Sequence, residues 1–253
     1  MMTRRSSTQA DARGFNRLAP VYDHLAMTVF GNSLRAAQRC FLHRVKPEAD
    51  VLVVGGGSGW FLERLLEETS CRRVDTLDIS AAMLSRSEDR LRRRNPEALA
   101  RVRFLHGGVE SLPRDAIYDV LCTHCFLDLF SDETLQSLVP RLRSHLRDGG
   151  LWYDSDFQIA PGTIRRPLTS ILLGAMYAFF RTTCSIEATR LPQFDHAFSQ
   201  AGMVDVEAAT FYGGMVRARL LRAPDQYVSE PLDVSQGDTV TRRFEAIRSE
   251  SDR

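Results

Sequence analysis

Residues 51–54, Val-Leu-Val-Val, form an unbroken apolar run that stops at Gly55-Gly56-Gly57-Ser58-Gly59. From Trp60 the apolar positions change to helical spacing, with Phe61, Leu62, Leu65 and Leu66 on one side. A continuous β-favouring run predicts a strand buried on both faces. The switch to a 3.6-residue period predicts a helix. The same alternation recurs along the chain. Arg73–Asp78 reads as a second strand, followed by a helix Ala81–Arg94 that Ser80 can cap. Arg101–His106 and Tyr118–Cys125 read as the third and fourth strands. A helix over Asp132–Leu146 has Asp148-Gly149-Gly150 as its stop signal, and Leu151–Phe157 is a fifth strand. A helix over Leu191–Ala201 precedes Val204–Tyr212 and Met215–Arg222, a hairpin joined through Gly213-Gly214. Strands alternating with helices predict an α/β fold on a mostly parallel sheet.

The ends read differently. Residues 1–14 are polar and expected to be disordered. Phe15–Phe30 carries apolar residues at helix-like intervals interrupted by Pro20; Gly31-Asn32 breaks the chain, and Ser33 can cap a second helix to about Arg44. Residues 223–253 are polar without periodicity and read as a flexible tail, which leaves one domain over 15–222. Within it, 158–190 is a helical insertion whose centre, Leu168–Phe180, is apolar on nearly all sides, with Arg165, Arg166 and Arg181 at its ends. Two readings stand: a packed core helix, or a hydrophobic lid for an apolar substrate or a membrane-surface contact through 165–181.

Composition narrows the function. At 253 residues there is room for one large α/β domain or two small ones. Lys+Arg 33 against Asp+Glu 32 gives no general pull toward nucleic acid, and none is expected as a partner. Lys46 is the only lysine, so Schiff-base chemistry is confined to that position. Five scattered cysteines without an export signal point to reduced thiols and a cytoplasmic location, and no apolar stretch is long enough to span a bilayer. Cys122 and Cys125 have the spacing of a zinc pair. No second pair lies near, and strand alternation sends them to opposite faces, so no metal is expected.

The strand, glycine loop and helix at 51–66 make a seat for a nucleotide-like ligand, held against backbone N–H groups at a helix N-terminus. A triphosphate loop would end in Gly-Lys-Ser/Thr; this one ends in Gly59-Trp60-Phe61. The dinucleotide fingerprint needs a glycine at position 60, where Trp60 is too large. What remains is Gly55-x-Gly57-x-Gly59, with Asp78 at the end of the second strand able to accept from ribose hydroxyls. This loop resembles the first motif of class I S-adenosylmethionine-dependent methyltransferases, and Asp78-Ile79-Ser80-Ala81-Ala82-Met83-Leu84 resembles their second. The segment Leu18-Ala19-Pro20-Val21-Tyr22-Asp23 resembles the entry segment of the quinone-biosynthesis type; the alternative for Tyr22 is packing on a surface helix. Gly107–Pro113 resembles the adenine-side loop.

The resemblance covers roughly Phe15–Arg222 and implies a Rossmann-like seven-stranded sheet closed by an antiparallel hairpin, an N-terminal helical cap, and S-adenosylmethionine as cofactor. It implies cofactor contacts from Tyr22, Gly55, Gly56, Gly57, Ser58, Gly59, Asp78, Ile79, Met83, Gly108, Val109 and His124. Two positions depart from the family: Val53 and Gly108 stand where relatives commonly carry acids, so backbone groups at Gly108 and Val109, or Glu110, must serve the adenine.

The function implied is methyl transfer to an O or C centre of a small, fairly apolar acceptor, an in-line displacement in which the protein mainly aligns the nucleophile and excludes water. A base is needed only where the acceptor must lose a proton. His124, Asp128, Asp154 and Asp156 fall at the carboxyl ends of strands four and five; His124, Asp128 and Asp156 are the catalytic candidates, and each also has a plain structural role available. An aminopropyltransferase would want an acid-rich amine pocket, which the apolar insertion does not offer. A non-catalytic cofactor-binding or interaction protein of the same fold is the alternative, kept open by the absent acids at Val53 and Gly108.

Overall fold

A computed structural model describes residues 7–19, 27–163 and 165–225. Its centre is a seven-stranded sheet of order β3-β2-β1-β4-β5-β7-β6. The strands are β1 (Asp50–Val54), β2 (Arg73–Asp78), β3 (Val102–His106), β4 (Tyr118–His124), β5 (Leu146–Phe157), β6 (Val204–Phe211) and β7 (Val216–Arg222). The first five are parallel, and β7 runs antiparallel between β5 and β6. The helices are α1 (Ser7–Leu18), α2 (Ser33–Arg39), α3 (Trp60–Glu68), α4 (Ala81–Arg94), α5 (Asp132–Arg143), α6 (Arg165–Cys184) and α7 (Phe194–Gln200).

β1 explains the layering. All five of its residues are buried, and alternate side chains leave opposite faces. Val51 and Val53 join Phe61, Leu62 and Leu65 of α3 in one core layer. Leu52 and Val54 join Leu135, Val139, Trp152 and Phe198 in the other, beneath α5 and α7. A strand read as uniformly apolar is thus one that feeds two cores. The loops that leave β1, β2 and β4 gather at the carboxyl edge of the sheet, at the point where strand order reverses.

Several boundaries differ from the sequence reading. The stretch expected to be disordered is helical from Ser7, because α1 is held from outside: it packs along α6, and Gly14 approaches the Cys184 backbone so closely that a Cβ there would lie 2.5 Å from the Thr183 carbonyl oxygen. The second helix ends at Arg39, preceded by Asn32, and continues only as a tight turn over Leu42–Arg44. Gly149-Gly150 does not stop a helix. α5 ends at Arg143, whose buried guanidinium donates to the Leu146 carbonyl (2.7 Å), and β5 begins at Leu146 opposite Tyr118. The glycines lie in a bulge, with Gly149 at φ 69° and the Gly150 carbonyl accepting from Ala223 N–H. α7 starts only at Phe194, since Gln193 N–H is tied to Asp132 Oδ1 (2.7 Å). Tyr22, with Pro20 and Asp23, lies outside the described residues, as does the tail from 226 onward.

Candidate active site

The glycine loop turns at Gly55 (φ 68°), Gly57 (φ 55°) and Gly59 (φ 82°). Two of these have separate reasons for lacking a side chain. A Cβ on Gly59 would stand 2.7 Å from the Ser87 Cα, so this position lets α3 approach α4. A Cβ on Gly57 would meet no protein atom within 4 Å; its open side belongs to a cavity. Asp78 fixes the loop: its Oδ2 accepts from Gly57 N–H (3.1 Å) and its Oδ1 from Ser80 N–H (2.8 Å). Burial raises the Asp78 carboxyl above its ordinary value, against these two donors and the field of His106. Ser80 caps α4, accepting from Met83 N–H at 3.1 Å, and donates to Asn16 Oδ1 (2.6 Å). Asn16 also accepts from Ala82 N–H, so α1 is pinned to the start of α4.

These groups line a cavity of about 410 Å³. Its inner part is formed by Gly55, Gly56, Gly57, Ser58, Asp78, Ile79, Met83, Gly108, Val109, Glu110 and His124. It continues outward between Leu34, Trp60, Leu129, Phe130, Leu138 and Ile186. Of the expected cofactor contacts, Gly59 packs behind the loop instead of lining the cavity, and Tyr22 lies outside the described residues. A Cβ on Gly108 would collide with the Glu110 carboxylate, which already fills the space a side chain at 108 would take. A carboxylate from two residues further on thus stands beside the position that lacks an acid.

Sequence reasoning missed several cavity residues. Phe126 follows β4, and its ring lies 2.5 Å from where a Gly55 Cβ would be. Cys125, at φ 50°, holds the turn between His124 and Phe126, a strained conformation for a non-glycine residue beside a cleft. Arg35 of α2 stacks over Trp60, 4.9 Å from the ring centroid, and both line the cavity. The run Phe126–Phe130 carried an apolar signal; the reach of α1 and α2 is long-range and left none.

His124 is half-buried against Phe61, with ring centroids 4.2 Å apart, and its Nδ1 lies 2.7 Å from Ser155 Oγ. Its Nε2 has no protein partner. Burial pushes its pKa down to about 3, so the ring is neutral at physiological pH and a weak base.

The structure does not bring Asp128 and Asp156 into this cavity. They form a buried carboxyl pair behind it. Asp156 Oδ2 accepts from Leu127 N–H (3.1 Å) and Asp128 N–H (3.2 Å). Burial and the nearby acids push Asp128 up to about 7 and raise Asp156 as well. A carboxyl raised on folding stabilises below its unfolded pKa, near 4, and loses that contribution as pH rises through the folded value. Stability is therefore expected to fall between about pH 4 and pH 7. Asp128→Asn should flatten that slope and gain about 1–2 kcal/mol on the wild type at pH 7. Urea unfolding across this range checks it; equal slopes for the two proteins would contradict a raised Asp128 carboxyl. His124 works in the opposite sense, below about pH 6.5, and is common to both proteins.

Of the two readings left open for 158–190, a packed core helix and a lid, the lid finds no support in the lining of the cavity. Met176, Tyr177, Phe179 and Phe180 do not line the cavity; Tyr177 is buried beside the carboxyl pair, Met176 and Phe180 pack on the core, and Phe179 is exposed. The helix turns Thr169, Leu173, Tyr177 and Cys184 inward, and only Ile186 and Glu187, beyond its end, reach the cavity.

Residues 51–150 match the family model described as a methyltransferase domain. Among curated proteins, the chain is 26% identical over 138 residues to malonyl-[acyl-carrier protein] O-methyltransferase 1 of Ilyobacter polytropus, covering 54% of this chain and 48% of that protein. It is 26% identical over 166 residues to the malonyl-[acyl-carrier protein] O-methyltransferase of Halalkalibacterium halodurans, covering 59% and 55%. The chain thus spans about half the length of the curated relatives it matches. Among solved structures, it resembles the Burkholderia thailandensis 1,6-didemethyltoxoflavin-N1-methyltransferase bound to 1,6-didemethyltoxoflavin and S-adenosylhomocysteine, with a TM-score of 0.61 at 16% identity over 89% of this chain and 94% of that one. An O-methyltransferase family protein from the same species gives 0.63 at 14% identity, over 87% and 63%. Residues 51–150 thus carry a methyltransferase domain match, and the sheet order agrees with the Rossmann-like fold of the class I S-adenosylmethionine-dependent methyltransferases.

Proposed function

We propose that the cavity binds S-adenosylmethionine and that the chain transfers its methyl group to an O or C centre of a small, fairly apolar acceptor. One observation carries this reading. The seat built from Gly55–Ser58 and Asp78 opens without a break into an outer chamber walled by Leu34, Trp60, Leu129, Phe130, Leu138 and Ile186. The donor set fits the cofactor. Gly57 leaves its backbone bare toward the cavity, Asp78 retains acceptor capacity beside its two backbone donors, and Ile79, Met83 and Val109 offer apolar surface to an adenine.

When bound, the cofactor supplies an electrophilic methyl and its own leaving group. The residues around it then have limited tasks. Asp78 holds the ribose and the loop at once. Glu110 stands where an adenine amine can donate. His124, neutral and with Nε2 free of protein partners, positions a ligand more readily than it removes a proton. Arg35, Gln38, Thr134, Ser137, Arg141 and Glu187 stand among these walls, and the apolar part favours an apolar acceptor by about 25 cal/mol for each square ångström buried. Asp128 and Asp156 do not line this cavity, so the acceptor is expected to arrive already nucleophilic.

The test is label transfer from methyl-labelled S-adenosylmethionine to a panel of phenols, enols and carboxylic acids. A malonyl thioester belongs in the panel because two relatives carry that substrate in their names. Turnover with an apolar member already ionised at neutral pH, a carboxylic acid or an acidic enol or phenol, is the expected result. Saturable cofactor binding without transfer to any member would favour the non-catalytic alternative.

A further inference from the structure

α6 has two faces, and the cavity uses neither. Thr169, Leu173, Tyr177 and Cys184 pack inward. The opposite side carries Leu168 at 65% exposure, Ile171 at 71% and Phe179 at 40%, with exposed Gly174, Ala175 and Ala178 between them. From Leu168 to Phe179 this stripe runs about 17 Å along the helix. The helix contains no acidic residue, and its arginines, Arg165, Arg166 and Arg181, are all exposed at its two ends. α1 packs along it and adds exposed Arg13 and Arg17. Among the described residues no helix is long and apolar enough to cross a membrane, so this one is suited to lie on a surface and not to pass through it.

We propose that the outer face of α6 docks on an anionic lipid membrane. Apolar side chains flanked by cations, with no acid on the element, are complementary to a layer of acyl chains beneath negatively charged headgroups. A second copy of the chain would fit the apolar stripe but would bring like charges together at both ends. The docking also has a geometric sense. α6 runs directly into Ile186 and Glu187 of the cavity wall, and α1 contributes Phe15 to the same cavity, so a bilayer under α6 lies beside the elements that frame the acceptor chamber.

The experiment uses the full chain with neither cofactor nor acceptor, so its outcome is independent of the methyl-transfer reading. Sedimentation is measured with vesicles of phosphatidylcholine alone and with vesicles containing phosphatidylglycerol, at low and high salt. Binding to the anionic vesicles, weakened by salt, is the expected result. Changing Arg165, Arg166 and Arg181 together to Glu should reduce it by about 100-fold or more, at about fivefold for each charge removed near the surface. Leu168→Asp with Ile171→Asp should abolish it, while the thermal midpoint stays near that of the wild type because both side chains are exposed. Equal binding to neutral vesicles, no binding to either, or binding unchanged in the Leu168/Ile171 variant would overturn the proposal. So would a concentration-dependent dimer that this variant dissolves.

Discussion

Arg219→Ala is expected to destabilise the fold by about 3–5 kcal/mol, the range for removing one partner of a buried ion pair. Arg219 lies on β7 with its side chain only 3% exposed, facing Asp154 at 1%. Its guanidinium donates to Asp154 Oδ2 (3.2 Å) and to Asp195 Oδ1 (2.7 Å), and stacks over Phe198 at 4.6 Å from the ring centroid. Without it, Asp154 keeps the Thr123 hydroxyl (2.9 Å) as a side-chain donor, in a setting where burial already raises its carboxyl. Beyond burial, its charge in turn raises the Asp128 and Asp156 carboxyls nearby. The arginine therefore stabilises chiefly by making an acid tolerable in the core. It follows that Arg219→Leu combined with Asp154→Leu should recover much of the loss, since an apolar pair needs no compensation. Denaturant unfolding of the two single variants and the double variant measures this. A loss below about 1 kcal/mol in Arg219→Ala would show that the pair is solvated.

Asp78→Ala is expected to weaken S-adenosylhomocysteine binding by about 10- to 100-fold, or about 1–3 kcal/mol, the scale for losing hydrogen bonds to a charged group. Two effects combine. On the proposed reading the ribose loses its acceptor, and Gly57 N–H loses the bond that sets the loop. Asp78→Asn keeps one oxygen for either Gly57 or Ser80, and its loss should be smaller. Thermal unfolding of each variant separates a reshaped site from an unfolded chain.

The parts legible in the sequence were those set by local pattern. β1, α3, β2 and α4 followed from apolar periodicity, and Ser80 was readable as the cap of α4. The glycine loop and Asp78 were readable because a tight turn and a close backbone approach each demand a particular residue type. What could not be read depends on contacts between distant segments. Whether Gly149-Gly150 ends a helix or bends a strand was decided by Ala223 pairing back to Gly150. α1 is polar and becomes a helix because Gly14 and Asn16 meet α6 and α4. Asp128 and Asp156 had the right chain position for catalysis, yet side-chain alternation on β5 and the turn after β4 aim them into a shared pocket of protein. The apolar insertion misled for a related reason. Its composition fitted burial on all sides, whereas one side packs and the other is bare.

The central claim, that the cavity at the carboxyl edge of the sheet holds an S-adenosyl ligand, is tested most directly by calorimetric titration of the wild-type chain with S-adenosylhomocysteine, with NAD titrated in parallel. One site per chain for S-adenosylhomocysteine, no heat from NAD, and weakening in Asp78→Ala is the predicted result. Absence of S-adenosylhomocysteine binding to folded protein, or an affinity that Asp78→Ala leaves unchanged, would contradict it.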